Sequence, residues 1–286
     1  MLEIIKSIIF GIIEGVTEWL PVSSTGHMIL LDEFLKLDAS ESFMEMYLVV
    51  IQLGAILAVV LLFWNDLWPF CTPSSKKGKL REKGFLKILN VVKEDTFIMW
   101  FKIVVACVPA VIVELLWGDK LEETFYNYQT VSIMLIVVGI IFILVENRNK
   151  NHVAKVDSIA GITYQTAFLI GMFQLIAAVF PGTSRSGATI IGGLMLGLSR
   201  TIAAEFTFYL AVPVMFGASF IKLLKFGVNF SGNQLAILLT GMITAFVISV
   251  VVIKFLMGYI KKHDFKVFGW YRIILGVLVI VYFSVI

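Results

Sequence analysis

Glu14 and Glu18 stand one helical turn apart in an otherwise apolar segment, and the run Ser23-Ser24-Thr25-Gly26-His27 follows closely. Carboxylates at i and i+4 share one helix face. Such a pair can hold a hard divalent cation, Mg²⁺ or Ca²⁺, through oxygen ligands. It can instead include one carboxylate acting as a base, or pair structurally with a buried cation such as Arg185. Glu14 and Glu18 are therefore candidate metal ligands, with Glu18 also a candidate catalytic group. Ser24 has the chemistry of a nucleophile, and His27, three residues on, that of a general acid or base.

A second polar run, "PGTSRSGAT" from Pro181, carries Arg185, whose planar fork suits bidentate binding of phosphate oxygens. An intramembrane arginine is a functional hypothesis by default. If a helix restarts after each hydroxyl run, at His27–Met28 and at Gly187–Ala188, its free N–H groups and dipole favour an anion. The hydroxyls of Ser23, Thr25, Thr183, Ser184 and Ser186 add donors, and Gly26 and Gly187 allow close backbone approach. The run is too short for a Walker A loop and lacks its lysine, which argues against ATP. Each residue also has a plainer reading. Serine and threonine hydroxyls often bond back to helix carbonyls, a lone histidine is more often interior packing, and Gln174 is expected only to hydrogen-bond.

The elements that position these residues are membrane helices. Of the 286 residues, 59% are hydrophobic and 15% charged, and the mean hydropathy is +0.94, well outside the soluble range. Six runs are apolar enough to cross a bilayer: Tyr47–Trp64, Trp100–Trp117, Val131–Val145, Thr207–Ile221, Leu235–Met257 and Val267–Ile286. They lack the alternation of a β-barrel, so the fold class is an all-α integral membrane protein.

A constant shift of 160 residues lays Gly11 on Gly171, Glu14 on Gln174, Pro21 on Pro181, Ser24 on Ser184 and Glu45 on Glu205, the last two each expected to open the next apolar span. The chain reads as one membrane domain of two halves, about 1–150 and 160–286. Each half has a broken segment (Ile4–Leu31, Tyr164–Leu198) followed by three spans. Breaks rich in Pro, Gly and hydroxyls argue for re-entrant helix pairs. Three spans per half make this an inverted-topology repeat whose tips can meet at the midplane, as in many transporters.

Lys76, Lys77, Lys79, Arg81, Lys83, Lys87 and Lys93 crowd one loop. Arg148, Lys150 and Lys155 follow the third span, and Lys261, Lys262 and Lys266 the fifth. Positive-inside bias places these loops in the cytoplasm and both termini outside. The acidic stretches Asp32–Glu45 and Gly118–Tyr126 are then outer loops. The basic loops read as orientation signals rather than a nucleic-acid site. Cys71 and Cys107 are not expected to form a disulfide. Lys6 and the short apolar N-terminal stretch resemble a signal peptide, but Glu14 and Glu18 interrupt the run and no small-residue cleavage site follows.

"EGVTEWLPVSSTGH" (Glu14–His27) with "PGTSRSGATI" (Pro181–Ile190) resembles the bacterial undecaprenyl-diphosphate phosphatases, also called bacitracin-resistance proteins. "VVIQLGAILAVV" and "EFTFYLAVPVM" extend the likeness from Val49 and Glu205. The resemblance implies a plasma-membrane hydrolase, with its site open to the extracytoplasmic side. It would convert undecaprenyl diphosphate to the monophosphate carrier for peptidoglycan synthesis, confer bacitracin resistance and require a divalent cation. The family's acidic residues fall on Glu14 and Glu18, its Ser and His on Ser24 and His27, and its Arg on Arg185. Its phosphate-contacting positions fall on Ser23, Thr25, Ser184 and Ser186. Expected partners are the polyprenyl diphosphate, membrane lipids and a second copy of the chain, with no nucleic acid. Whether Ser24, His27 or water attacks phosphorus stays open, and a lipid transporter and a non-enzymatic lipid-binding protein are the alternatives.

Overall fold

The computed structural model describes residues 1–70, 93–150, 153–227 and 229–285. Cys71 and the basic residues from Lys76 to Lys87 lie outside the described residues. Among the described residues, the first half holds α1 (Leu2–Thr17), α2 (Ser24–Phe34), α3 (Glu41–Leu62), α4 (Glu94–Phe125) and α5 (Tyr128–Asn149). The second holds α6 (Tyr164–Val179), α7 (Arg185–Met195), α8 (Arg200–Phe226), α9 (Gly232–Tyr259) and α10 (Lys266–Val285). A single turn, Trp64–Leu67, follows α3. The only extended pairing among the described residues is an isolated bridge between Val156 and Leu198.

Six helices, α3, α4, α5, α8, α9 and α10, are 20 to 32 residues long and apolar enough to cross a membrane, matching the six runs read from sequence. Ser40, Asn127, Ser199 and Ser231 cap α3, α5, α8 and α9 by accepting a hydrogen bond from the third residue on. Two expectations at span ends need correction. Gly118–Tyr126 is not a loop: α4 continues to Phe125 for 32 residues. At about 1.5 Å per residue, that helix outreaches a hydrocarbon core of roughly 30 Å, so its acidic last turns extend beyond the apolar layer. Glu45 and Glu205 lie a full turn inside α3 and α8 rather than at their starts.

The molecule is apolar on its surface, and its mostly apolar core encloses a smaller set of buried polar side chains. Phe101, Leu115, Leu144, Phe220, Val251 and Ile274 are exposed, whereas Glu14, Ser23, Gln174, Thr183, Ser186 and Arg272 are buried. An apolar exterior with the polar groups turned inward is what a lipid solvent selects. Close helix contacts rest on small residues. On α1, a Cβ at Gly11 would lie 2.6 Å from the Gly241 carbonyl oxygen of α9. On α6, a Cβ at Gly171 would strike the Ala106 backbone of α4. The α1–α9 contact thus has a counterpart in α6–α4, and α5 packs on α10 through Gly139 and Gly269.

The four remaining helices form two broken pairs. α2 and α7 have 11 residues each, about 16 Å of helix, too little to cross alone. α2 starts near Tyr271 of α10, through His27, and Phe34 at its far end packs against Tyr282 with the rings tilted. α7 starts against Arg272, near Gly187, and ends where Asn149 donates to the Leu194 carbonyl. From one level on α10, the two short helices therefore run in opposite directions along it. This places both breaks side by side in the interior.

Candidate functional site

Both short helices begin inside their hydroxyl runs, not after them. α2 starts at Ser24 and α7 at Arg185, earlier than His27–Met28 and Gly187–Ala188, because a serine serves as N-cap in each case. Ser23 Oγ accepts from Gly26 N at 3.3 Å, and Ser184 Oγ from Gly187 N at 3.1 Å. Among the described residues these two serines are the only non-glycine residues with positive φ, at 74° and 69°. A left-handed non-glycine residue is strained by about 1–3 kcal/mol, so the rest of the fold must hold each cap in place. Ser23 and Ser184 hold the same place before their helices, as do Ser24 and Arg185 at the first helical position.

Ser24 and Arg185, each the first residue of its helix, converge on the same carboxylate. Glu18 caps the C-terminal end of α1. Its Oε1 accepts from Arg185 Nη2 at 2.8 Å and its Oε2 from Ser24 Oγ at 2.8 Å. Ser186 Oγ donates to the Glu18 backbone oxygen at 3.0 Å and lies 3.1 Å from Ser184 Oγ. Arg185 Nη1 donates to the Thr207 carbonyl at 3.3 Å, which steadies the guanidinium from α8. The structural reading of the carboxylates is thus realised for Glu18, which forms an ion pair with Arg185.

Glu14 lies one turn below Glu18, whose N–H donates to its carbonyl at 3.0 Å. Glu14 is 1% exposed, and its Oε1 has no hydrogen-bond partner. Gln174 departs from expectation: both of its amide atoms are buried without partners, as is Thr183 Oγ1. Unpartnered buried polar atoms are costly, so each of these is suited to a polar guest. Thr25 and Gly26 lie in the first turn of α2, and Gly187 in that of α7.

His27 does not hydrogen-bond to Ser24. Its Nδ1 lies 2.7 Å from the Ser23 carbonyl and its Nε2 2.6 Å from the Tyr271 hydroxyl. The base within reach of Ser24 is therefore Glu18.

Two residues escaped the sequence reading, and both lie on α10. Tyr271 is one. The other is Arg272, fully buried, which donates to the carbonyls of Pro21 at 3.2 Å and of Gly182 and Thr183 at 2.8 Å each. One guanidinium thus ties the two breaks together. Gly182 meets it with φ at 90°, a conformation that glycine adopts freely. The rule that singled out Arg185, an arginine within an apolar span, applies equally to Arg272.

Chemically, the site joins two helix N-termini, two guanidinium groups, several hydroxyls and two carboxylates, all from one chain. The first four groups attract an anion with many oxygens. The carboxylates would repel that anion unless a cation or proton lies between. Among the described residues, no three His, Cys, Asp or Glu side chains gather as a metal cluster. Two carboxylates plus substrate oxygens nevertheless suit magnesium, which seldom takes an all-protein cage. The unpartnered Glu14 oxygen fits such an ion.

Comparison with known proteins agrees with this chemistry. The family described as bacitracin resistance protein BacA matches residues 7–278. A protein of Desulfitobacterium hafniense named undecaprenyl-diphosphatase is 63% identical over 284 residues, covering 99% of this chain and 97% of its own. One from Enterococcus faecalis with the same name is 56% identical, covering 98% of this chain and 96% of its own. Undecaprenyl-diphosphatase 1 of Clostridioides difficile is 50% identical, covering 99% and 97%. The match takes in both breaks and both arginines, and the chain belongs to the bacitracin resistance protein BacA family.

Proposed function

We propose that this multi-pass membrane protein hydrolyses undecaprenyl diphosphate to undecaprenyl phosphate and phosphate, recycling a carrier lipid for peptidoglycan synthesis and so conferring bacitracin resistance. The observation that carries the reading is Glu18 held between Ser24 of one break and Arg185 of the other, at 2.8 Å each. A phosphoryl group entering there takes over the Arg185 fork and the N–H groups of α2 and α7. Release of Arg185 leaves Glu18 next to Ser24 with its charge no longer paired, which makes it a stronger base toward that hydroxyl or toward a water in the same place. His27 exchanges a proton with the reacting oxygens. A divalent cation held by Glu14 and Glu18 would neutralise charge on the diphosphate and the carboxylates.

The two broken pairs are re-entrant, entering from opposite sides, and the halves form an inverted repeat. The paired contacts α1–α9 and α6–α4 support this. The basic loops face the cytoplasm, the first pair enters from outside, and the site opens to the extracytoplasmic face of the bacterial plasma membrane. The lipid tail stays among the exposed apolar side chains while the head group reaches the breaks.

The same pairing favours a second reading, a lipid transporter, because such repeats serve alternating access. Purified protein in detergent separates the two. Hydrolysis predicts phosphate release from undecaprenyl diphosphate that stops on EDTA and returns with Mg²⁺ or Ca²⁺. No release under any cation would favour transport.

A further inference from the structure

The imidazole of His27 is held at both nitrogens. The Ser23 carbonyl can only accept, so the 2.7 Å contact fixes a hydrogen on Nδ1. The lone pair of the neutral ring then lies on Nε2, 2.6 Å from the Tyr271 hydroxyl, which must donate to it. The two rings are nearly parallel, 4° apart with centroids separated by 5.6 Å. These are the only polar contacts of the imidazole among the described residues. Tyr271 itself is 44% exposed, so its ring has room to turn aside.

We propose that Tyr271 is a positioning residue for His27, resting on the reading of His27 as the acid–base group. Its hydroxyl keeps the lone pair on Nε2 and holds the ring plane, then yields that nitrogen when a phosphoryl oxygen arrives. A phenol suits this role because it donates to neutral Nε2 and accepts from Nε2–H. The ring therefore need not reorient as it gains and loses a proton. Without the hydroxyl, the Ser23 carbonyl is the only hydrogen-bond partner left to the imidazole among the described residues.

Tyr271→Phe keeps the ring and its stacking and deletes only the oxygen. Phosphate release from undecaprenyl diphosphate should show kcat about tenfold lower with KM within about twofold, a fraction of the 10²–10⁴ that a positioned acid–base group contributes. Diethyl pyrocarbonate, which modifies unprotonated imidazole nitrogen, should label His27 several-fold faster in the variant, read by mass on the His27 peptide. An unchanged labelling rate would overturn the Tyr271–His27 contact, and an unchanged kcat would overturn the positioning role. Failure of the underlying reading looks different: His27→Gln would then turn over normally, while the labelling comparison would still report on the contact.

Discussion

Arg185 has two tasks that a lysine cannot combine. At rest it pairs with Glu18 through Nη2 and with the Thr207 carbonyl through Nη1, and in the proposed reaction the same fork turns to phosphate. Arg185→Lys should therefore lose about 10²–10³ in kcat, close to Arg185→Ala, since a point charge cannot reproduce bidentate contact. Wild-type turnover in the lysine variant would reduce Arg185 to a charge. The carboxylates should separate in a cation titration. Glu14, with its unpartnered oxygen, should on change to Gln raise the Mg²⁺ needed for half-maximal phosphate release. Glu18→Gln should lose turnover even at saturating Mg²⁺, because its oxygens serve Arg185 and Ser24. Ser24→Ala tests the attacking group: near-normal hydrolysis would exclude a phosphoserine and leave water or His27. At this scale the sequence was legible wherever polar residues interrupt apolar runs, as at Glu14, Glu18, Ser24, His27 and Arg185. Tyr271 was hidden because a tyrosine near a span end reads as an interface anchor, and its role appears only once α2 is laid beside α10.

The helices were legible in number and type, because length and hydropathy decide whether a segment crosses a bilayer. Their starts were less so. Nothing local says whether a serine before a helix is its cap or its first turn, and that ambiguity moved the expected starts of α2 and α7. The end of α4 was misread because Gly118 and the acidic residues look like loop, although nothing after Gly118 breaks the helix before Phe125. Helix packing makes its own prediction. Gly171→Val would drive a side chain into the Ala106 backbone of α4, and overpacking of this kind typically destabilises by about 1–3 kcal/mol. The melting temperature in detergent should fall. Gly217→Val, with open space around its Cβ position, should leave it nearly unchanged.

For the whole molecule, Lys266 Nζ reaching Asn147 Oδ1 at 3.3 Å puts the α5 end and the α9–α10 turn on one face, as the lysine map requires. In a background with Cys71→Ser and Cys107→Ser, single cysteines at Lys79 and Asp119 should answer an impermeant reagent differently in intact cells. Asp119→Cys should react and Lys79→Cys should not. The reverse pattern would invert the orientation.

The three carbonyls gripped by Arg272 of α10 all come much earlier in the sequence: Pro21 lies 251 residues before it, Gly182 90 and Thr183 89. During synthesis the two breaks emerge long before the residue that fastens them together. The nascent protein should therefore gain activity only once α10 has entered the bilayer. A premature stop late in the reading frame, sparing Glu18, Ser24, His27 and Arg185 but removing α10, should be as complete a loss as one near the start.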